Sequence, residues 1–248
     1  MFVKKGHKNK QVKVVQIYLR RLSFPVETDG VFGPKTESVI RMFQEKYNLN
    51  IDGVIGKNTY STLIKEVYKT YNKSTLNKHI VQAASKYVGQ EEISGNLGFK
   101  SKVFHKLMVG VGFKRTHPWC AYFTELVWKD AYSSVYGKHS NDIISTTFSA
   151  SVMKTWNRFD SSELGNRSYV PLPGSLIVFQ SSRNRYFGHI GIVKSIDSQN
   201  PFYINTIEGN TNDGGGREGY IVAEKVRTLD FKKKNGLNLV GFIHPNIL

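Results

Sequence analysis

The sequence predicts a small all-α module of three helices followed by a larger α+β domain. Three observations carry that reading: a doubled Asp-Gly loop near the start, a helical apolar stripe running on from the single cysteine, and a series of short apolar runs after residue 171. At 248 residues the chain exceeds what one small domain needs and suits a small module joined to a mid-sized one.

The loop comes first. Thr28-Asp29-Gly30-Val31-Phe32-Gly33-Pro34-Lys35-Thr36 returns as Ile51-Asp52-Gly53-Val54-Ile55-Gly56-Lys57-Asn58-Thr59. Asp-Gly followed by an apolar residue and Gly is turn chemistry, and each copy ends at a threonine placed to cap or open a helix. Between the copies Val39, Ile40, Phe43 and Tyr47 fall on one helical face, and Val12, Val15, Ile17, Leu19 and Leu22 supply an apolar segment before the first. The expected module occupies residues 1–70. Residues 71–77 are polar and aperiodic and read as a linker, with the second domain over 78–248.

That domain opens with Ile80, Ala83, Ala84, Tyr87 and Val88 at helical spacing, and Gly89 suits a C-terminal cap. After Thr116-His117-Pro118-Trp119-Cys120, the residues Trp119, Tyr122, Phe123, Leu126, Val127 and Ala131 keep a helical stripe. Pro118 suits the first helical position, which puts Cys120 in the first turn. Short strands are expected at Ser175–Phe179, His189–Val193, Phe202–Asn210, Tyr220–Val226 and Leu239–Ile243. His189 thus begins a strand at a sheet edge, and Ile204, Thr206, Glu208 and Asn210 share one side of the next. Trp128 and Trp156 read as core residues, and His117 as structural.

Charge narrows the partners without choosing one. Lys and Arg number 35 against 19 Asp and Glu, a net +16, and residues 1–73 carry half of that excess. Such a balance favours anionic partners: nucleic acid, an acidic membrane face or a bacterial wall polymer. No apolar run is long enough to span a membrane, and no apolar stretch follows the basic start, so no secretory signal is expected. One cysteine excludes an internal disulfide and fits synthesis in a reducing cytosol. Nucleic-acid binding would need basic residues interleaved with aromatics on one face, which the sequence lacks.

A lone cysteine on a helix is more often a small buried hydrophobe than a nucleophile. At a helix N-terminus, however, free N–H groups and partial positive charge favour a thiolate and can also hold an oxyanion. A thiolate needs a base, and the base an orienting group. His189, with Glu208 or Asn210 at the end of the following strand, supplies that order.

The residues Gln16, Leu19, Asp29 to Thr36, Phe43-Gln44 and Asp52 to Thr59 resemble the type 1 peptidoglycan-binding domain. Asp29, Gly30, Gly33, Asp52, Gly53 and Gly56 are then the expected wall-binding loops. The blocks Glu91-Glu92 to Asn96-Leu97-Gly98, Pro118 to Phe123, Pro173 to Phe179, Gly188 to Val193 and Ile207 to Thr211 resemble, in that order, the CHAP domain, related to NlpC/P60 and papain-like enzymes. The resemblance implies an antiparallel sheet, Cys120 as nucleophile, His189 as general base and acid, and Glu208 with Asn210 orienting the imidazole. Trp119, Tyr186, Phe187, Glu92 and Asn96 are expected to meet substrate, with Tyr186 and Phe187 as a groove wall. Asp213 to Arg217 is expected as a flexible turn near substrate, and Lys232-Lys233-Lys234 as a solvated hairpin end.

A binding module joined to a CHAP domain without a signal resembles a bacteriophage endolysin. The implied activity is cleavage of an amide bond in the stem-peptide region of peptidoglycan, by an N-acetylmuramoyl-L-alanine amidase or an endopeptidase; a catalytically inactive wall-binding protein is the rival. No cofactor and no metal are expected, since residues 89–119 hold only Glu91 and Glu92 as acids. The expected protein is a monomer, made in the host bacterial cytoplasm, acting at the wall, and reaching it through a holin-type pore.

Overall fold

A computed structural model describes residues 3–71, 75–138, 140–197, 203–212, 219–231 and 235–246 of the chain. The chain divides into two compact units, one of residues 1–73 with 197–203 and the other of residues 74–196 with 204–248.

The first unit holds three helices, α1 (Lys10–Arg21), α2 (Pro34–Lys46) and α3 (Lys57–Tyr71). Asn9 caps α1 by accepting the Val12 N–H at 3.0 Å, and Pro34 starts α2 where a missing N–H costs nothing. Val12, Val15, Leu19, Ile40, Phe43, Leu63 and Val67 form the buried interior.

Each copy of the repeated loop closes on a buried glutamine. Gln16 Oε1 accepts the Gly30 N–H at 2.8 Å, while its Nε2 lies 2.9, 3.0 and 3.1 Å from Asp29 Oδ1, Val31 O and Thr36 Oγ1. Gln44 repeats the set on Gly53 N, Asp52 Oδ1, Val54 O and Thr59 Oγ1 at 2.8, 2.7, 3.0 and 3.2 Å. Thr36 and Thr59 therefore lie inside the first turns of their helices and accept from glutamine, where the sequence suggested capping. Asp29 and Asp52 also accept the N–H two residues on, each at 2.8 Å, the side-chain turn expected of Asp-Gly. The Val31 N–H, helped by the Gln16 amide, holds the Asp29 carboxyl below its ordinary range.

The second unit begins sooner than expected. α3 runs to Tyr71 and α4 (Thr75–Ser85) starts at Thr75, so residues 75–77 of the expected linker are helical; 72–74 lie outside the described residues. β1 (Glu92–Ile93) and β2 (Gly98–Phe99) form a short hairpin, followed by α5 (Lys102–Gly110), α6 (Cys120–Tyr136), α7 (Ser140–Thr147) and α8 (Val152–Arg158). Then come β3 (Gly165–Ser168), β4 (Leu176–Ser181), β5 (Gly188–Ile196), β6 (Tyr203–Thr211), β7 (Ile221–Thr228) and β8 (Leu237–Pro245). These six strands form one sheet in the order β3-β8-β4-β5-β6-β7, and β3–β8, β8–β4, β4–β5 and β5–β6 pair antiparallel.

α6 is the central helix. Trp119, Phe123, Val127, Trp128 and Tyr132 are buried with Ile80 and Ala84 of α4 and with Val178, Ile190, Ile192 and Ile207 of the sheet. Apolar burial at about 25 cal/mol per Å² is the main force holding helix to sheet. α6 starts at Cys120 with Trp119 as its N-cap, two residues later than a helix opened by Pro118. β5 lies between β4 and β6, so His189 stands near the end of an interior strand and not at a sheet edge. At His189 the register partner is Phe179 of β4, and the pairing of β5 with β6 starts at Ile192.

Candidate active site

The packing of α6 on β5 brings the expected nucleophile and base together. His189 Nε2 lies 2.8 Å from Glu208 Oε2, and the Cys120 side chain is close enough to the His189 ring to act on its charge. With Nε2 engaged by the carboxylate, Nδ1 is the ring nitrogen left for the thiol. Cys120 is 5% exposed, while the His189 and Glu208 side chains are 12% and 0% exposed. Burial opposes a charged imidazole, but hydrogen bonds and charges from Cys120 and Glu208 outweigh it and push His189 up to about 10.

A fully buried carboxylate needs counter-charge and donors. Glu208 receives both. Arg227 of β7 donates from Nε to Oε1 at 2.8 Å and from Nη2 to Oε2 at 2.5 Å, and the Thr206 hydroxyl donates to Oε1 at 2.6 Å. Burial pushes the Glu208 carboxyl up, yet the Arg227 and His189 hydrogen bonds reverse this and leave it far below its ordinary value. Burial likewise opposes charge on Arg227, whose pKa is nonetheless raised by Glu208. Arg227 was absent from the sequence reading. Thr206 was visible only as a residue sharing Glu208's side of the strand.

Two glycines make the geometry possible. A Cβ on Gly191 would sit 2.5 Å from Glu208 Cγ, and one on Gly209 would sit 2.6 Å from Trp119 Cζ3 and 2.7 Å from Phe123 Cγ. The first lets Glu208 lie across β5 beneath His189, and the second lets β6 close on the start of α6.

Asn210 does something other than orient the imidazole. At φ +53°, its Oδ1 accepts the Trp119 N–H at 2.9 Å and its Nδ2 donates to Gly219 O at 2.7 Å. Asn210 therefore fixes the residue before the cysteine. The next three N–H groups, of Cys120, Ala121 and Tyr122, have no intrahelical acceptor, because the ladder starts with Phe123 N–H to Trp119 O at 2.9 Å.

Residues 8–63 match the peptidoglycan binding domain family, and residues 112–210 match the CHAP domain family. The chain carries a peptidoglycan-binding domain followed by a CHAP domain.

The chain is also 38% identical over 77 residues to a spore cortex-lytic enzyme of Bacillus cereus, spanning 31% of this chain and 29% of that one. It is 32% identical over 69 residues to a probable CtpA-like serine protease of Staphylococcus epidermidis, spanning 27% and 14%. The chain thus spans less than a third of the length of these curated relatives. Two solved structures share segments with it. A peptidoglycan-binding protein from Clostridioides difficile in complex with glutamine hydroxamate is 41% identical over 25% of this chain and 40% of that one, at a TM-score of 0.25. The SleB N-terminal domain is 34% identical over 27% of this chain and 93% of that one, at a TM-score of 0.27.

Several residues expected to meet substrate have other duties in the CHAP domain. Trp119 is fully buried, and its Nε1 donates to Glu92 Oε2 at 2.6 Å; Glu92 is itself buried against it. This indole–carboxylate bond ties the β1–β2 hairpin to the start of α6. Asn96 is half-buried, accepts the Thr116 N–H at its carbonyl at 2.8 Å, and keeps its Oδ1 buried without a partner. Tyr186 and Phe187 are 65% and 66% exposed on the β4–β5 connection and do not line the cleft of about 620 Å³ that includes His189. His117 is exposed, Trp128 buried and Trp156 partly buried. Asp213 to Arg217 and Lys232 to Lys234 lie outside the described residues.

In the binding domain Gly30 and Gly53 are buried, so they shape their loops and offer no surface. Asp52 and Gly56 line a cleft of about 430 Å³ with Asn50, Lys57 and Asn58. Among the described residues, no group of three or more His, Cys, Asp and Glu side chains is placed to hold a metal ion. No described helix is long and apolar enough to cross a membrane.

Proposed function

We propose that this chain cleaves an amide bond in the stem-peptide region of peptidoglycan by cysteine catalysis, at the N-acetylmuramoyl-L-alanine bond. Residues 1–70 hold the wall and residues 78–248 cut it. The observation that carries the reading is the hydrogen-bonded set His189–Glu208–Arg227 beside Cys120, whose sulfur stands at the first position of a helix.

His189 takes the Cys120 proton, and the thiolate attacks the amide carbonyl to form a C–S bond. The oxyanion that results is held by first-turn N–H groups, that of Cys120 foremost. On collapse the C–N bond breaks, and His189 gives its proton to the leaving amine. Water, deprotonated by His189, then hydrolyses the thioester and restores the thiol. Glu208 keeps the imidazole in its orientation and stabilises its charge, and Arg227 does the same for Glu208.

The test is mass spectrometry of the soluble products released from purified peptidoglycan by the unmutated protein and by Cys120→Ala in parallel. Free stem peptides with new L-alanine N-termini, from the unmutated protein alone, are expected. Glycan-linked fragments with cut stems or bridges would move the bond and make the protein an endopeptidase. Equal release by Cys120→Ala would overturn the mechanism, and no release by either would leave a wall-binding protein.

A further inference from the structure

The cleft beside His189 has a one-sided charge. Arg183, Lys225 and Arg227 line it together with His189 and Asn210, and among the described lining residues there is no Asp or Glu. Arg227 spends Nε and Nη2 on Glu208, which leaves the two N–H groups of Nη1 without a described acceptor; its side chain is 27% exposed. Lys225 Nζ donates to the Asn212 carbonyl at 2.5 Å, a bond that fixes the ammonium without neutralising it. Among the described residues neither Lys225 nor Arg183 has a carboxylate partner. Glu208 balances Arg227; among the described residues Arg183 and Lys225 remain in excess.

The cleft reaches the general base His189 and, among its described lining residues, does not include Cys120, so it is placed to take a group that flanks the attacked carbonyl. Unpaired cations in a recess are attractive to an anion and unfavourable without one, and a guanidinium fork matches a carboxylate in shape as well as charge. We propose that this cleft binds a free carboxylate of the stem peptide next to the scissile amide, with Arg183 and Lys225 as its principal partners and Arg227 Nη1 as a third donor. Resting on the hydrolase reading, the assignment makes the enzyme selective for stem peptides whose carboxyl group is free over those in which it is amidated.

The experiment uses the full chain carrying Cys120→Ala, titrated calorimetrically at low salt with two soluble disaccharide-peptides that differ only in having free or amidated carboxyl groups. The free acid is expected to bind about five- to tenfold more tightly. Adding Arg183→Ala and Lys225→Ala together should bring that ratio close to one. A ratio near one in the parent, or one that survives both substitutions, would overturn the proposal. A glycerol-phosphate oligomer that displaces the free acid and binds more tightly than it would also overturn the proposal, giving the cleft to a wall phosphate. Turnover by the unmutated protein separates the two claims. Equal cleavage of both peptides defeats the carboxylate assignment alone. Cleavage of neither defeats the hydrolase reading, and the binding ratio still decides the cleft.

Discussion

Gly191 and Glu208 face each other across adjacent strands so closely that a Cβ on the glycine would lie 2.5 Å from Glu208 Cγ. The hydrogen bond from His189 to Glu208, at 2.8 Å, depends on that missing methyl group. Gly191→Ala is expected to fold at a cost of about 1–3 kcal/mol, the range for overpacking. It should lower kcat at least a hundredfold by displacing the carboxylate. Thermal unfolding and turnover of a soluble muropeptide, measured on the same preparation, check both.

Glu208→Gln should move the alkaline limb of the pH–rate profile to lower pH. Burial disfavours the imidazolium, and the hydrogen bonds and charges of Cys120 and Glu208 hold His189 up at about 10; removing one of these lets it fall toward 6.5. The stability signs follow from linkage. A raised His189 contributes stability that is complete below about pH 6.5 and is lost as pH rises through about 10. A depressed Glu208 contributes stability above about pH 4.5 that is lost on further acidification. Both contributions are therefore complete between about pH 4.5 and 6.5, and the difference in Tm between parent and Glu208→Gln should be largest there. A Tm difference independent of pH would refute the coupling.

Asn210→Ala should behave differently. Its amide holds the Trp119 N–H at 2.9 Å and not the imidazole, so the variant is expected to lose about fivefold in kcat through a loosened helix start, from roughly 1 kcal/mol of hydrogen bonding. The alkaline limb should stay where it is. A shift like that of Glu208→Gln would restore the orienting role suggested by the sequence.

Gln16→Ala and Gln44→Ala each strip a loop of four partners at once. Leaving buried donors and acceptors unpaired costs about 1–3 kcal/mol apiece before relaxation. Sedimentation of the full chain with purified wall should weaken markedly in either variant, while turnover of soluble muropeptides is unchanged. Loss of both together would contradict the division of labour between the domains.

Much of this protein was legible because its chemistry is local. A repeated Asp-Gly-x-x-Gly-x-x-Thr needs only neighbouring residues to announce a turn entering a helix. The helix from Cys120 and the strands at Leu176, Gly188, Tyr203, Ile221 and Leu237 follow from apolar periodicity alone. The short pieces escaped notice: β1, β2 and β3 have two to four residues, too few to show a period.

What the chain shows by itself is therefore the doubled loop, the helix from Cys120, the order of the longer strands, and Cys120 and His189 with Glu208 or Asn210 as candidates. Only the tertiary structure decided which polar groups meet. Glu208 could be found as a polar residue on a strand, but its need for Arg227, 19 positions away, depends on strand register, which periodicity does not reveal. Trp119 and Glu92 looked like cleft residues until packing buried one against the other. Asn210 went to the helix start because a positive φ turned its amide there. Secondary structure follows from short-range sterics and burial pattern, whereas a buried charge takes whichever partner the fold brings within hydrogen-bonding distance.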